Sequence, residues 1–273
     1  MLSKELIKKI RQIEIKSNKL VNEIFSGEYR SGFRGKGVEF EDIRQYYPGD
    51  DVRSIDWNVT ARHNKAFVKR FCEERELNMF LLIDMSRSNS FGTKKDLIAE
   101  VSATLAFSAS KNNDKVGVIF FTDKVEKFIP SVNGRKHILS IIENILNFQP
   151  ELSGTDLAKA LQYFNRIEKK RSVVFVISDF LDDGYKKDLK ITAGRHDLVL
   201  VRVVDRAEEF IPGGAIFTFE DLETGETIIL DNIKNEQKLD TGTNLFKRNL
   251  INIYTDEDYV KPLKQFFRRR GQR

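Results

Sequence analysis

Asp84, Ser86 and Ser88 stand at alternate positions in NMFLLIDMSRSNS (residues 78–90), directly after an apolar run at 79–83. Carboxylate and hydroxyl oxygens are hard donors, and three of them in one turn can curl toward a single point. A hard divalent cation takes such an oxygen shell. The plainer alternative is a strand-to-helix turn in which Ser88 or Ser90 caps the helix. The same chemistry recurs twice farther along. Thr155 follows Ser153-Gly154 in ELSGTDLAKAL, where it is either a helix N-cap or a ligand, and Asp179 follows VVFVIS. Together the two carboxylates and three hydroxyls are an oxygen-only set suited to one Mg²⁺ or Mn²⁺.

These residues converge only if the chain brings them to one edge of a sheet. A short apolar run stopped by polar residues predicts a buried strand. Such runs place strands at 79–84, 116–121, 172–178 and 198–204, alternating with helices at 94–110, 135–147 and 155–168. That alternation gives an α/β fold with a doubly wound, mostly parallel sheet. Open sheets of this kind bind ligands at the carboxyl ends of their strands, which is where Asp84, Thr155 and Asp179 fall. A helix is expected within 2–25, a strand at 66–72, a hairpin over 215–231 turning at Glu223-Thr224-Gly225, a strand at 250–254 and a helix at 261–270. Domain organisation follows: an N-terminal amphipathic helix in 1–30, a small β-rich elaboration with its lead-in strand in 31–76, the core in 77–210, and a hairpin, strand and helix in 211–273 that complete the fold.

Composition bounds the rest. A 40% hydrophobic and 32% charged chain is globular in type. Cys72 is the sole cysteine, so no internal disulfide forms. No apolar run reaches membrane-spanning length and the first residues carry no signal-peptide core, so a cytoplasmic location is expected. A net charge of +5 is small beside 46 basic and 41 acidic residues and does not argue for nucleic acid.

A second cluster surrounds Pro48-Gly49: Arg44, Asp50, Asp51, Arg53, Asp56 and Arg62, with Trp57, the chain's one tryptophan, among them. It is read as a structural ion-pair network clasping the β elaboration, with a catalytic or binding cluster as the alternative. The glycines Gly32, Gly35 and Gly37 are not followed by the Gly-Lys-Ser/Thr of a phosphate loop.

Several segments resemble the bacterial domain of unknown function 58 family across nearly the whole chain: GVEFEDIRQYYPGDDVRSIDW, ARHNKAFVKRFCEERE, GTDLAKAL, SDF and DLETGE. Asp-x-Ser-x-Ser with the distal Thr and Asp resembles the metal-ion-dependent adhesion site (MIDAS) of the von Willebrand factor type A fold. The resemblance implies a von Willebrand factor A-like, non-enzymatic interaction module working beside a MoxR-type AAA+ ATPase in assembling or remodelling other proteins. It also implies direct ligation by Ser86, Ser88 and Thr155, with Asp84 and Asp179 binding directly or through water. By charge alone, two carboxylates balance a divalent cation and leave an open position attractive to a partner's Asp or Glu.

Two other classes compete. A metal-dependent hydrolase would use Asp84 and Asp179, yet no histidine is placed as a proton shuttle: His63 lies in the elaboration, His137 inside a helix, and His196 before its strand. Asp123, past the strand at 116–121, is the auxiliary carboxylate on the correct edge. A nucleic-acid platform would use the basic loop at 30–36, where Arg30, Arg34 and Lys36 alternate with Tyr29 and Phe33, together with the arginines at 268–270.

Overall fold

Four short, mainly apolar runs are too short for buried helices and too apolar for solvent, and they become the interior of one sheet. The computed structural model describes residues 4–22, 33, 39–63, 65–72, 77–86, 89, 92–152, 154–182, 184–206, 210–211, 216–220, 227–231, 237–238 and 243–272. The chain divides into two compact units, Arg34–Leu77 and the remainder, Met1–Phe33 with Asn78–Arg273.

The larger unit begins with α1 (Lys4–Leu20). In the smaller unit β1 (Glu39–Gln45) pairs antiparallel with β2 (Phe67–Cys72), and a short helix, α2 (Trp57–His63), lies between them in the chain. The sequence signalled extended chain in this segment but not the helix. Asp56 explains it: its carboxylate accepts from the amides of Asn58 (2.9 Å) and Val59 (3.2 Å), satisfying donors that a helix start leaves orphaned.

The six-stranded sheet of the larger unit contains β3 (Asn78–Asp84), β4 (Lys115–Phe121), β5 (Val125–Val132), β6 (Val173–Ser178), β7 (Asp197–Val204) and β12 (Leu250–Tyr254). Its order is β12-β7-β6-β3-β4-β5, parallel throughout except for β5, which runs antiparallel to β4. The doubly wound, mostly parallel α/β sheet expected from the sequence is the fold found. The sequence missed β5, and its burial shows why. VEKFIPSV has only half-buried and exposed positions on an edge strand, leaving Phe128 and Val132 exposed, and Pro130 weakens any strand signal.

One face of the sheet packs on α5 (Leu157–Ile167) and α6 (Lys186–Arg195), around Phe80, Leu82, Phe121, Leu161, Phe164 and Val176. Each fully buried side chain of this kind contributes roughly 1.5–3 kcal/mol relative to exposure. The other face meets α3 (Gly92–Lys111), which is buried on nearly every side from Ile98 to Ala109 because α4 (Arg135–Asn147) and α1 pack beside it. On α1, Lys9 pairs with Asp96 and Lys16 with Glu100, each at 2.5 Å. The helix α7 (Val260–Gly271) closes the chain. Short strands β8 (Phe210–Ile211) and β11 (Gln237–Lys238) pair, as do β9 (Ile216–Glu220) and β10 (Thr227–Asp231); the turn at 223–225 lies outside the described residues.

Candidate metal centre at the carboxyl edge

Asp84 ends β3 and is fully buried. In register it sits opposite Phe121 of β4, while Ile83 pairs with Ile177 of β6, so the carboxylate emerges between two parallel neighbours. The backbone then turns. The Ser86 amide donates to Asp84 Oδ1 at 2.9 Å, a local side-chain turn that stops the strand, and the Ser178 hydroxyl donates to Oδ2 at 2.7 Å. Despite these donors, and the Ser86 hydroxyl beside them, burial pushes the Asp84 carboxyl up to about 7, and the negative charge of Asp179 adds to the rise.

Asp179 follows β6 and is 5% exposed. Its Oδ1 accepts from the Leu181 amide at 3.2 Å, and Phe180 between them takes a left-handed φ of 59°. That conformation costs a bulky residue on the order of 1–2 kcal/mol. It is held by burial of the ring and by the Ser178 hydroxyl, which accepts from the Phe180 amide at 3.0 Å. The other carboxylate oxygen, Oδ2, lies 3.8 Å from Lys94 Nζ, and both side chains are almost wholly buried, at 6% and 7% exposure. Arg202, opposite Ser178 on β7, donates from Nε to the Asp179 carbonyl at 3.4 Å.

Thr155 lies in the loop before α5, half-buried. Asp156, and not Thr155, caps that helix, accepting from the Lys159 amide at 2.8 Å. The cap role therefore falls to the neighbour, which leaves the Thr155 hydroxyl outside the helix. The Asp156 amide donates to the Thr122 carbonyl at 2.9 Å, tying the loop to the carboxyl end of β4, one strand from Asp84. The Leu157 amide donates to Asp182 at 2.9 Å. Asp123 is half-buried with its carboxylate against Gly154, where a Cβ would have to push that carboxylate aside. Ser88 lies outside the described residues.

The donors and charge present here suit a hard divalent cation. Two carboxylates share a buried site strongly enough to hold one of them near neutrality, and the hydroxyl of Ser86 adjoins them. Asn89 is fully buried, its Nδ2 lies 3.4 Å from Ser86 Oγ, and its Oδ1 has no hydrogen-bond partner among the described residues. Buried polar atoms without partners are uncommon, and a hydrated cation would satisfy this one. Among the described residues no three His, Cys, Asp or Glu side chains cluster as a metal site, so the hydroxyls are needed to complete the shell.

Residues 42–243 match the family described as "Protein of unknown function DUF58". The chain belongs to this DUF58 family. An uncharacterized protein of Mycobacterium tuberculosis is 30% identical over 223 residues, covering 79% of the DUF58 chain and 70% of the relative. Uncharacterized protein YeaD of Bacillus subtilis is 24% identical over 168 residues, 60% of this chain and 40% of the relative. Among solved structures, the conserved hypothetical protein BatB of Bacteroides thetaiotaomicron aligns over 72% of this chain and all of its own, at 15% identity and TM-score 0.49. The SpRpn10 VWA domain aligns over 70% of this chain and 95% of its own, at 11% identity and TM-score 0.40.

Elsewhere in the DUF58 chain the second charged cluster resolves into local pieces of the smaller unit. Arg44 grips Asp50 through two hydrogen bonds of 2.8 and 2.7 Å. Asp51 accepts from the Arg53 amide, and Asp56 caps α2 and pairs with Lys69 at 3.4 Å. The side chains of Arg53 and Arg62 are exposed with no ion pair among the described residues, and Trp57 is 67% exposed. Among the described residues these are turn and cap contacts, with Asp56–Lys69 joining the start of α2 to β2.

The basic loop loses part of its platform. Phe33 is buried, edge-on to Phe175 and Phe267 at 5.7 Å, with Arg270 over its ring at 4.6 Å and ion-paired to Asp197. A ring committed to the core cannot stack on a base. Tyr29, Arg30, Arg34 and Lys36 lie outside the described residues. His196 is 3% exposed against Phe164, His137 Nε2 meets the Val116 carbonyl at 2.7 Å, and the His63 side chain is outside the described residues. Sequence reasoning missed Lys94, Ser178 and Asn89. Only Ser178 left a signal, as a hydroxyl at the last position of a strand beside Asp179.

Proposed function

We propose that this DUF58 protein is a non-enzymatic protein-interaction module whose carboxyl-edge site takes one Mg²⁺ or Mn²⁺ and completes its shell with a partner's Asp or Glu. The observation carrying this reading is the buried pair Asp84 and Asp179, two like charges whose proximity and burial hold Asp84 well above the ordinary carboxylate range. Asp84 and Asp179 would supply the negative charge, Ser86, Ser88 and Thr155 the neutral oxygens. When bound, a divalent cation would supply a Lewis-acid position for one more carboxylate. Ser178 and the Ser86 amide orient Asp84, and the Leu181 amide orients Asp179, so the donors are held before any ligand arrives.

No helix among the described residues is long and apolar enough to cross a membrane. The resemblance to the DUF58 family supports a MoxR-type AAA+ ATPase as the partner and the cytoplasm as the place of action. The test is calorimetric titration of that ATPase into the protein with Mg²⁺ and then with EDTA. Affinity that falls with EDTA and in Asp84→Ala, while circular dichroism stays unchanged, is the expected result. Equal affinity in both conditions would place docking elsewhere.

A second reading has one observation in its favour. A carboxyl near pH 7 is the property of a general acid or base. Metal-dependent turnover of p-nitrophenyl phosphate that disappears in Asp84→Ala would favour a hydrolase. No turnover is expected, because no histidine among the described residues adjoins the pair.

A further inference from the structure

Lys94 stands where a lysine should be costly twice over. It is the third residue of α3, in the first turn, where the helix dipole presents positive charge and disfavours a cation. It is also 4% exposed, and a buried ammonium needs an anion close by. Its neighbour Lys95 shows the ordinary solution, extending its amine to the Phe148 carbonyl at 2.9 Å and remaining only partly buried. Asp179 contributes to offsetting the cost at Lys94: its carboxylate lies 3.8 Å away and belongs to the pair assigned above to the cation.

We infer that Lys94 is a tethered counter-cation that occupies the charge balance of the Asp84–Asp179 pair and competes with the divalent cation for it. The inference rests on the metal reading of this site. In the metal-free protein the ammonium relieves part of the repulsion between two buried carboxylates. A divalent cation drawn to the same oxygens meets a like charge beside them, and at such separations in a poorly hydrated site that repulsion is strong. Lys94 therefore sets how weakly the isolated protein holds its metal, and removing the charge tightens binding. A lysine that served only to position Asp179 would act in the opposite direction, because its loss would disorder a ligand and weaken binding.

The experiment is Mn²⁺ titration of the full chain, followed by calorimetry and by electron paramagnetic resonance of free Mn²⁺. Wild type, Lys94→Met and Lys94→Arg are compared, with Asp84→Ala as the variant that removes a ligand. Lys94→Met is expected to bind Mn²⁺ at least about tenfold more tightly than wild type, since a unit charge leaves the immediate surroundings of the site. Lys94→Arg keeps the charge and stays near wild type. In EDTA, Lys94→Met melts lower than wild type, and Mn²⁺ restores it. If Lys94→Met does not fold, Lys94→Gln, which keeps a hydrogen-bond donor without the charge, gives the same comparison. Wild-type binding with no tightening in the neutral variants would overturn the inference and leave the metal reading standing. No Mn²⁺ binding by wild type or by either neutral variant would overturn both.

Discussion

Arg44 and Asp50 meet in the smaller unit through two parallel hydrogen bonds at the surface, while Asp84, Asp179 and Lys94 lie almost sealed at the end of a parallel sheet. Both places bring aspartates to lysine or arginine, and the consequences are opposite. Beside the Arg44 guanidinium and the Tyr47 amide, the Asp50 carboxyl is held below the usual carboxylate range. The Asp84 carboxyl is driven above it, although two serines donate to it. Water makes the difference. At the surface it screens like charges and leaves the hydrogen bonds to set the direction. At the sheet edge it is excluded, so desolvation and the second carboxylate dominate. A surface cluster can hold many charges and do little, whereas a buried cluster of three creates a demand for something else.

The largest effect that would sharpen this contrast is on stability without metal. A carboxyl raised in the folded state contributes stability at low pH that is lost as pH climbs from about 4 toward 7, because the folded protein resists ionisation that the unfolded chain accepts. Asp84→Asn is neutral at every pH. In EDTA at pH 8 it should be more stable than wild type and melt higher, by a free energy on the order of 4 kcal/mol if the shift is fully relieved. A lower midpoint would mean the pair is already compensated and the contrast is false.

Next in size is Gly154→Ala. Its Cβ must displace Asp123 or the Thr155 loop, so Mn²⁺ affinity should fall several-fold while the thermal midpoint changes little. An unchanged titration would show that Asp123 yields without moving the Thr155 loop. Smaller again is the acid limb at His196, buried against Phe164. Burial lowers its pKa, so the unfolded chain takes up a proton below about pH 6.5 that the folded protein refuses, and stability falls as pH drops through that value. His196→Phe should flatten the midpoint-against-pH curve there; an unaltered slope would assign the limb to other groups. Last comes Arg44→Ala, for which no change in the melting of the larger unit is expected. A cooperative loss of the sheet's unfolding transition would show that the surface pair matters more than its setting suggests.

Strands β3, β4, β6 and β7 were legible because burial on both faces removes nearly all polar residues from the run, Arg202 of β7 being the exception. Strand β5 was not, since one face meets water and Pro130 interrupts it. Helix α6, KKDLKITAGR, buries only Leu189 and Thr192 and so shows almost no apolar stripe. The carboxylates at the edge were legible from the abrupt ends of their strands. Lys94 was not, because TKKDL gives no reason to separate it from Lys95. Which of two adjacent lysines turns inward depends on the rotation of α3 over the sheet, a property of the packed helix and not of the pentapeptide. The charge count suffered accordingly: from sequence the site balances a divalent cation, and with Lys94 included it does not.

The Lys94–Asp179 pair has a further consequence for how a partner arrives. Counting these three groups alone, and above about pH 7 where Asp84 is ionised, the edge carries one net negative charge when empty and one net positive charge when a divalent cation is bound. Loading would thus reverse the sign of the charge these three groups present instead of merely cancelling it. An acidic partner would be turned away from the empty edge and drawn toward the filled one while still a Debye length distant, before any ligand exchange occurs. The metal would then act first on the rate of encounter, with a salt dependence of opposite sense in the two states, and only afterwards on the lifetime of the complex.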